Sequence, residues 1–562
     1  MITRLPLTKL LKDNINIKWL ENKQESILSA ASIITAATVI SALSGVLVRR
    51  VMIDIFGFSK ELEAFWIAFQ IPDMMFQLII LGALSAAFIP IFTSKRKENE
   101  AAAFKMSSIL MNILLLIFIA VGVIVFIFAK EITTFRTGEK IDPEQIEIIT
   151  RLTRLMIFSQ FFFAISNFWT GILQSYHRFV IPAIASIIYN IGILIGCYFF
   201  ADHFGIYAAG IGVVIGAFLH MSIQLPLVIK MGYKYTFSFQ LDHSGIKDFF
   251  WLMPPRVMAI GANELKKLLL AFFTTSLGNL SFSMVYLAST LMIIPIRFTG
   301  TPISQAALPF LSQASNNQEL SHFKSLVLQS LNQISFLAFP SSVLLLILRV
   351  PAVRFAYGAE NFPWGATLMT GRLVALMAVS ITVQALVQLL IRAFYALKDT
   401  RTPFYITLVD FFIYTVLCIY FVFFSSYGVL GIAITTTITA FIEFALFLLL
   451  LNRKVKGFID KEFWIPQFKM LVASFLMAIF LYLPFKILDE LVFNTTKIVE
   501  LIGLTLTTGT IGMLVYLYFA ALFDIKELLI FSRFFSRFQP ANRSLSSTPE
   551  VVVDSTVEDS NV

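Results

Sequence analysis

Apolar runs of eighteen or more residues recur along the whole chain, separated by short polar turns. A run of that length reads as a membrane-spanning helix, because about 20 residues at 1.5 Å each cross the hydrocarbon. The pattern predicts fourteen such helices, over 27–56, 62–92, 104–129, 149–174, 181–201, 205–229, 247–276, 279–311, 323–350, 366–396, 402–424, 428–451, 466–488 and 498–523. Residues 1–26 are polar and mixed in charge and predict a cytoplasmic arm, with Leu10, Leu11, Ile15, Ile17, Trp19 and Leu20 available for an interfacial helix. This stretch has no apolar core followed by a small-residue cleavage site, so no cleaved signal peptide is expected. Residues 524–562 predict a disordered cytoplasmic tail, rich in Ser, Thr and acids after about Phe538.

Composition sharpens this to one class. The chain is 58% hydrophobic and 14% charged, with mean hydropathy +0.82, which excludes a soluble domain of this size and defines an all-α polytopic membrane protein. The formal charge of +9 points to cytoplasmic loops beside anionic lipid rather than to nucleic acid. Both cysteines, Cys197 and Cys418, sit inside apolar runs, so neither a disulfide framework nor a metal cluster is expected. With the N-terminus inside, the inner loops collect Lys95, Arg96, Lys97, Arg178, Lys230, Lys234, Lys398, Arg401, Arg453, Lys454 and Lys456, among others. The outer loops hold about half as many cations, chiefly Lys60, Lys130, Arg136, Lys140 and Arg354. An even number of spans then places both termini in the cytoplasm.

The chain also repeats itself. Pro72 and Pro295 each interrupt the second helix of a tight hairpin, and AAFIPIF (86–92) matches AALPFL (306–311). QSYHRFVIPA (174–183) parallels ALKDTRTPFY (396–405), and FGIYAAGIGVVIGAFL (204–219) parallels YGVLGIAITTTITAFI (427–442). All four offsets lie near 220 residues. Six helices separate equivalent elements, so the repeats share one orientation, which implies two six-helix lobes related by an axis along the membrane normal. The expected division is a first lobe at 27–229, an inner connecting loop at 230–246, a second lobe at 247–451 and a C-terminal helix pair at 452–523. Two parallel lobes around a central cavity are a transporter plan.

Charges inside spans locate the cavity. An arginine or a freed carbonyl has no solvent in hydrocarbon, so such groups face a bundle interior or water. Residues 45–92 form a hairpin with Arg49 and Arg50 near the end of its first run, and with Glu63, Pro72, Asp73 and Pro90 in its second. The seventh span carries Arg256, Asn263, Glu264, Lys266 and Lys267. At 100° per residue Arg256, Asn263 and Lys267 share one face with Glu264 close by. Arg297 follows Pro295 near the middle of the eighth span. Cations on three helices fit an anionic substrate such as a phosphate or pyrophosphate, which arginine binds in bidentate fashion. The bland alternatives are an internal Glu264–Lys267 pair and, for Arg49 and Arg50, snorkelling to the outer headgroups. The row Ser29, Ser32, Thr35, Thr38, Ser41 and Ser44 winds round its helix and suits close packing. Asp410 and Glu443 are acids in the second lobe, expected to pair with Arg392 or to hold a coupling cation or proton. No nucleophile–base arrangement, P-loop, zinc spacing or dinucleotide turn occurs, so an enzyme is not expected and no cofactor is implied.

The segments IFGFSKELEAFWIAFQIPD, GALSAAFIPIF, YHRFVIPAIASIIYNIGI, ALPFLSQAS and AFYALKDTRTPF, in this order and among fourteen helices, resemble the MurJ/MviN lipid II flippases of the MOP exporter superfamily. The resemblance runs from Ile27 to the end of the last span. It implies two lobes in a V, and a C-terminal helix pair that grooves a polyprenyl tail. It further implies alternating access that carries an undecaprenyl-pyrophosphate-linked disaccharide pentapeptide, in peptidoglycan synthesis at the bacterial inner membrane. The sequence departs from the family pattern where that pattern has cavity charges. Ser41 is kept, but the following arginine position is Ala42, and the next is Val48 with Arg49 one place later. The arginine after the helix 2 proline is Phe76, and the acid beyond it is Leu81. The arginine and acid of helix 8 align with Thr290 and Ile293, whereas the acid after the first turn is kept as Glu63. The expectation is a cationic site moved to Arg49, Arg50, Arg256, Lys266, Lys267 and Arg297, with Glu63, Asn263 and Glu264 beside it. The substrate would be lipid II or a similar polyprenyl-pyrophosphate glycolipid. Another MOP-type exporter, a lipid-linked oligosaccharide flippase and a non-transporting membrane scaffold are the alternatives.

Overall fold

The computed structural model describes residues 27–81, 88–240, 246–316, 319–358, 361–488 and 498–529. The arm expected over 1–26 and the tail beyond Leu529 lie outside them. Regular structure among these residues is helical throughout. The first half comprises α1 (Ile27–Phe56), α2 (Lys60–Phe76, continuing into a π-helical turn at Gln77–Leu81), α3 (Ile89–Glu98), α4 (Glu100–Ile127), the short α5 (Ala129–Arg136), α6 (Pro143–Ser175), α7 (Val180–Phe204), α8 (Tyr207–Ser222) and the short α9 (Leu225–Lys230). The second comprises α10 (Ile246–Leu277), α11 (Ser281–Asn316), α12 (Leu320–Ile347), the short α13 (Arg349–Tyr357), α14 (Trp364–Ala378), α15 (Ile381–Ala396), α16 (Arg401–Ile419, with a π-helical turn at Tyr420–Phe424) and α17 (Val429–Lys454). α18 (Lys461–Ile487) and α19 (Ile498–Leu522) follow.

Ten helices among the described residues are long and apolar enough to cross a membrane, and an eleventh span arises if α14 and α15, bent by 48° at their junction, count as one. The fourteen-span reading takes α1, the broken α2–α3 stretch and the charge-bearing α10 as the other three. Local chemistry sets the helix starts. Ser59 accepts from the Leu62 N–H, with Glu61 and Glu63 in the first turn of α2 against the positive end of the helix dipole. Asn99 caps α4 by accepting from Ala102, and Asp460 caps α18. Pro72 leaves the Ala68 carbonyl without its usual amide partner, and the Thr153 hydroxyl of α6 donates to it at 3.3 Å.

Packing follows the repeat. α2 packs on α6 and α11 on α15; α1 packs on α7 and α10 on α16; α7 packs on α8 and α16 on α17. Backbone conformation repeats as well. Left-handed residues recur in pairs near 220 residues apart: Gly57 with Gly278, His177 with Lys398, Gly205 with Gly428, and Gly232 with Gly457. These turns require the same chain reversal twice, which the apolar pattern alone does not reveal.

The described core is shared at one end of the bundle and divided at the other. Met52, Trp66, Phe282 and Tyr357 belong to one cluster that joins both halves near the turns at Gly57 and Gly278. At the opposite end Phe88, Phe92 and Phe168 form a first-half cluster that also takes in Ile246 and Phe249 from the start of α10, and Leu331, Phe394 and Phe447 form one of the second half. A further cluster, around Met477 and Tyr516, fastens α18 and α19 to α12. The halves therefore share a core at the end of the 57 and 278 turns and, apart from the start of α10, part towards the other.

Two helices of the first half meet backbone to backbone. Gly192 and Gly196 of α7 face Gly216 and Gly212 of α8, and a Cβ at Gly196 would stand 2.2 Å from the Gly212 Cα. Two small-xxx-small stripes meet here, and backbone-to-backbone contact replaces side-chain packing. Gly196→Val should cost about 3 kcal/mol or more, because the added atoms meet backbone that cannot move aside. The measurement is the thermal unfolding midpoint in detergent; a variant with the parental midpoint would show that the helices do not touch as described.

Candidate functional site

Where the halves part, α1, α2, α7, α10 and α11 enclose a cavity of about 720 Å3. α1 contributes Ser41, Ala42, Gly45 and Arg49; α2 contributes Trp66, Phe69, Gln70 and Asp73. α7 adds Ser186, Tyr189 and Asn190, and α11 adds Tyr286, Ser289, Thr290, Ile293 and Arg297. Phe163, His220 and Lys267 also line it. An annex of about 320 Å3 shares Ser41, Ser186, His220 and Arg297 with it and runs to Gln174, Phe179 and Pro182, beside the turn at His177.

Arg49 is fixed by its own helix and by the opposite half. One guanidinium nitrogen donates to the Gly45 carbonyl at 2.7 Å, and another donates to the Tyr286 hydroxyl at 3.0 Å. The cation lies 5.3 Å from the Tyr286 ring centroid, and its Nε is buried without a partner. Among the described residues neither Arg49 nor Arg297 has a carboxylate partner. Lys267 differs: its ammonium is 2.7 Å from Glu264 and 3.8 Å from Asp73. The cavity thus carries two uncompensated guanidiniums and one lysine already shared between two acids. Such an array suits a dianionic group better than a single carboxylate.

Adjacent cations part company, because neighbours on a helix point 100° apart. Arg49 enters the cavity, whereas Arg50 leaves it and donates to the carbonyls of Phe355 and Gly358, at 2.6 and 2.9 Å. Lys267 enters, whereas Lys266 turns to α16, 2.6 Å from Asp410 and 4.6 Å from the Tyr414 ring centroid. Asp410 therefore does not pair with Arg392, which instead donates to the Thr301 carbonyl at 3.2 Å. Asn263 is exposed and does not line the cavity, one position of drift being enough to turn it outward. Glu264 is buried against Lys267. Glu63 sits buried at the far end, where it accepts from the Ser283 N–H at 3.1 Å and from Gln145 at 3.2 Å, tying α2 to the start of α11. Arg256 belongs to α10, but its side chain lies outside the described residues, as does that of Leu81. The departures from the family pattern can be placed: Ala42, Thr290 and Ile293 line the cavity, whereas Val48 is buried in the core.

Several residues carried no signal in the sequence. Tyr286 looks like one more aromatic of an apolar run, yet it spans the cavity to Arg49. Arg136, on α5 beyond the spans, inserts under α2 and donates to Gln70 at 2.9 Å and to the Ile67 carbonyl at 2.6 Å. Burial lowers its guanidinium to about 9, so it stays charged at neutral pH. Gln70 in turn reaches the Lys267 carbonyl at 3.4 Å. Only the folded contact between α5 and α2 makes Arg136 a supporting residue of the wall.

A bundle of two helical halves that meet at one end and enclose a polar cavity is the architecture of a multi-pass membrane transporter. In shape the chain is similar to an inward-facing multidrug resistance MATE family transporter of the MOP superfamily, with TM-score 0.63 and 11% identity over 76% of this chain and 98% of that one, a likeness of fold. The family described as "Lipid II flippase MurJ" matches residues 52–501. The chain belongs to this family, and is accordingly a multi-pass protein of a bacterial inner membrane. It is 27% identical over 457 residues to the probable lipid II flippase MurJ of Buchnera aphidicola subsp. Schizaphis graminum, covering 79% of this chain and 87% of that protein. A solved lipid II flippase MurJ in an inward closed conformation superposes with TM-score 0.71 at 25% identity, covering 91% of this chain and 100% of that one.

The Lys266–Asp410 pair makes a prediction about stability. Removing one member of a buried pair strands the other charge. Lys266→Ala should lower the unfolding free energy by about 3 kcal/mol, and adding Asp410→Asn should return much of it. A double-mutant cycle in detergent measures this; additive losses would show that the two residues do not interact.

Proposed function

We propose that this protein moves lipid II from the inner to the outer leaflet by alternating access, holding the pyrophosphate between Arg49 and Arg297. The observation that carries the reading is the pair of guanidiniums without carboxylates in one cavity between the halves. Each offers parallel N–H donors to phosphate oxygens, and Lys267 adds a point charge beside them. Arg256 belongs to the same reading by its place on α10. The absence of charge at Ala42, Thr290 and Ile293 is offset by Arg49 and Arg297, so the site keeps its chemistry at other positions. The disaccharide pentapeptide would occupy the rest of the cavity and its annex. The polyprenyl tail stays in hydrocarbon along α18 and α19, which leave Phe475, Leu483, Leu506 and Leu514 exposed. A tail kept in the apolar phase never meets the cavity cations, so only the headgroup needs a polar route.

In this reading the annex opens to the cytoplasm and the shared core seals the outer side. Glu63, Gln145 and Ser283 close that side by hydrogen bonds, and Arg50 adds its links to Phe355 and Gly358. Opening outward exchanges these contacts for new ones at the inner ends. The cargo drives that exchange only as far as it binds one state better than the other.

Arg49→Ala and Arg297→Ala should each reduce lipid II exposure in the outer leaflet at least tenfold, since a hydrogen bond to a charged group contributes about 1.5–3 kcal/mol. Protein level in the membrane should hold. Exposure is read by a lipid II-cleaving toxin added outside intact cells; a double variant with parental exposure refutes the site. The orientation is tested separately. Cysteines replacing Lys60 and Lys140 should react with an impermeant maleimide from outside, and those replacing Lys97, Lys234 and Lys456 should not. Both sets reacting from one side would refute termini in the cytoplasm.

A further inference from the structure

Behind one wall of the cavity runs a chain of buried polar groups that the pyrophosphate reading does not use. The Thr170 hydroxyl donates to Gln224 Oε1 at 2.9 Å, and Gln224 Nε2 donates to Ser166 Oγ at 2.7 Å. Ser166 Oγ lies 2.7 Å from His220 Nδ1 and 3.2 Å from the His220 carbonyl. Ser166 and Gln224 are fully buried and His220 is 7% exposed. The single hydroxyl proton of Ser166 can serve either the His220 carbonyl or Nδ1; directed along the shorter contact, to Nδ1, it leaves the neutral imidazole with its own proton on Nε2. No described residue bonds to Nε2. His220 lines both the main cavity and the annex, so its remaining polar atom stands where the two meet. Phe163 packs edge-on against the ring at 5.1 Å and fixes its plane.

A histidine that served packing alone would need no such chain, because each member costs desolvation and leaves Nε2 unanswered. The annex around it is polar but almost uncharged. Asn167, Thr170, Gln174 and Ser186 line it, and Arg297 is its one charged residue. The Asn167 amide nitrogen donates to the Phe163 carbonyl at 2.9 Å, which leaves its oxygen as an acceptor. Hydroxyls and amides beside an aromatic ring, Phe179, match a ligand rich in hydroxyl and acetamido groups rather than a further charge. The annex begins at Arg297, where the reading above places the pyrophosphate, and the group bonded directly to that pyrophosphate is a sugar.

We propose that the annex is a sugar subsite and that His220 Nε2–H is its specificity-determining donor, held in orientation by Ser166 and Gln224. The proposal rests on the flippase reading of the main cavity and adds to it a neutral subsite for the glycan. It accounts for the buried chain, because a fixed donor discriminates against ligands that lack a matching acceptor far better than a mobile one does.

The test compares two probes on the full-length protein in lipid nanodiscs: undecaprenyl pyrophosphate, and the same lipid carrying the disaccharide without peptide. Native mass spectrometry or fluorescence titration gives both affinities. The parental protein should bind the disaccharide lipid more tightly. His220→Asn keeps an amide near Ser166 but withdraws the cavity donor, and should erase that advantage, about five- to tenfold, without changing affinity for undecaprenyl pyrophosphate. His220→Gln places an amide nitrogen near the Nε2 position and should retain most of the advantage. Thermal midpoints of both variants show that they fold. Equal loss in the Asn and Gln variants, or no loss in either, overturns the sugar subsite. Failure of the parental protein to bind either lipid would instead refute the flippase reading on which it rests.

Discussion

Hydrocarbon gives no solvation to a charge, and every polar choice in this molecule answers to that constraint. An arginine in a spanning helix needs a carbonyl, an acid, an aromatic face or water. Arg50 takes two carbonyls, Lys266 takes Asp410, and Arg136 takes Gln70 and the Ile67 carbonyl. Arg49 and Arg297 take no acid among the described residues, and both face the cavity, beside Lys267 with its two acids. The division between cations bound into the packing and cations that face the cavity is thus set by what each finds across the helix interface.

The same constraint makes the two ends of the bundle different. At the end of the Gly57 and Gly278 turns, polar groups of the two halves satisfy each other, with Glu63 meeting the free N–H groups at the start of α11. Aromatic packing among Trp66, Phe282 and Tyr286 accompanies them. Towards the other end the second half keeps a core of its own, and the first half's core takes in the start of α10 through Ile246 and Phe249. Rocking about the shared end therefore breaks few packed contacts, whereas separating the halves there would expose a core and free several hydrogen bonds. Pro72 and the three prolines inside α11, Pro295, Pro302 and Pro309, give the two cavity-lining helices built-in points of bending.

Inside each half, rigidity comes from a different source. The glycine faces of α7 and α8 bring two backbones into contact, so the wall that carries Tyr189, Asn190 and His220 moves as one piece. Asn190 also donates to the Ser44 hydroxyl at 2.7 Å and so holds α1 to that wall. The Ser/Thr row of α1 does what its winding spacing suggested at Ser41 and Ser44, where hydroxyl and carbonyl serve helix packing. A rigid first half explains how polar groups as far apart as Thr170 and His220 keep one hydrogen-bonded order.

Much of this was legible in the sequence because the membrane imposes simple rules. Span length, the sign of loop charge and the repeat of prolines and small residues follow from hydrocarbon thickness and from chain reversals made twice. The all-α transporter class, and the gathering of Arg49, Lys267 and Arg297 about one cavity, were readable from charges lying where charges are costly. What the sequence left open was direction. Arg49 and Arg50, or Lys266 and Lys267, are equivalent by composition and differ only by 100° of rotation, and that angle acquires meaning once a neighbouring helix offers Tyr286, Phe355 or Asp410 on one side. Arg136 and His220 were silent for the same reason. Their partners lie 66 and 54 residues away along the chain, and packing alone brings them together. The sequence determined which groups the bilayer would not tolerate in isolation; the tertiary structure decided which of them found partners and which were left to face the cavity.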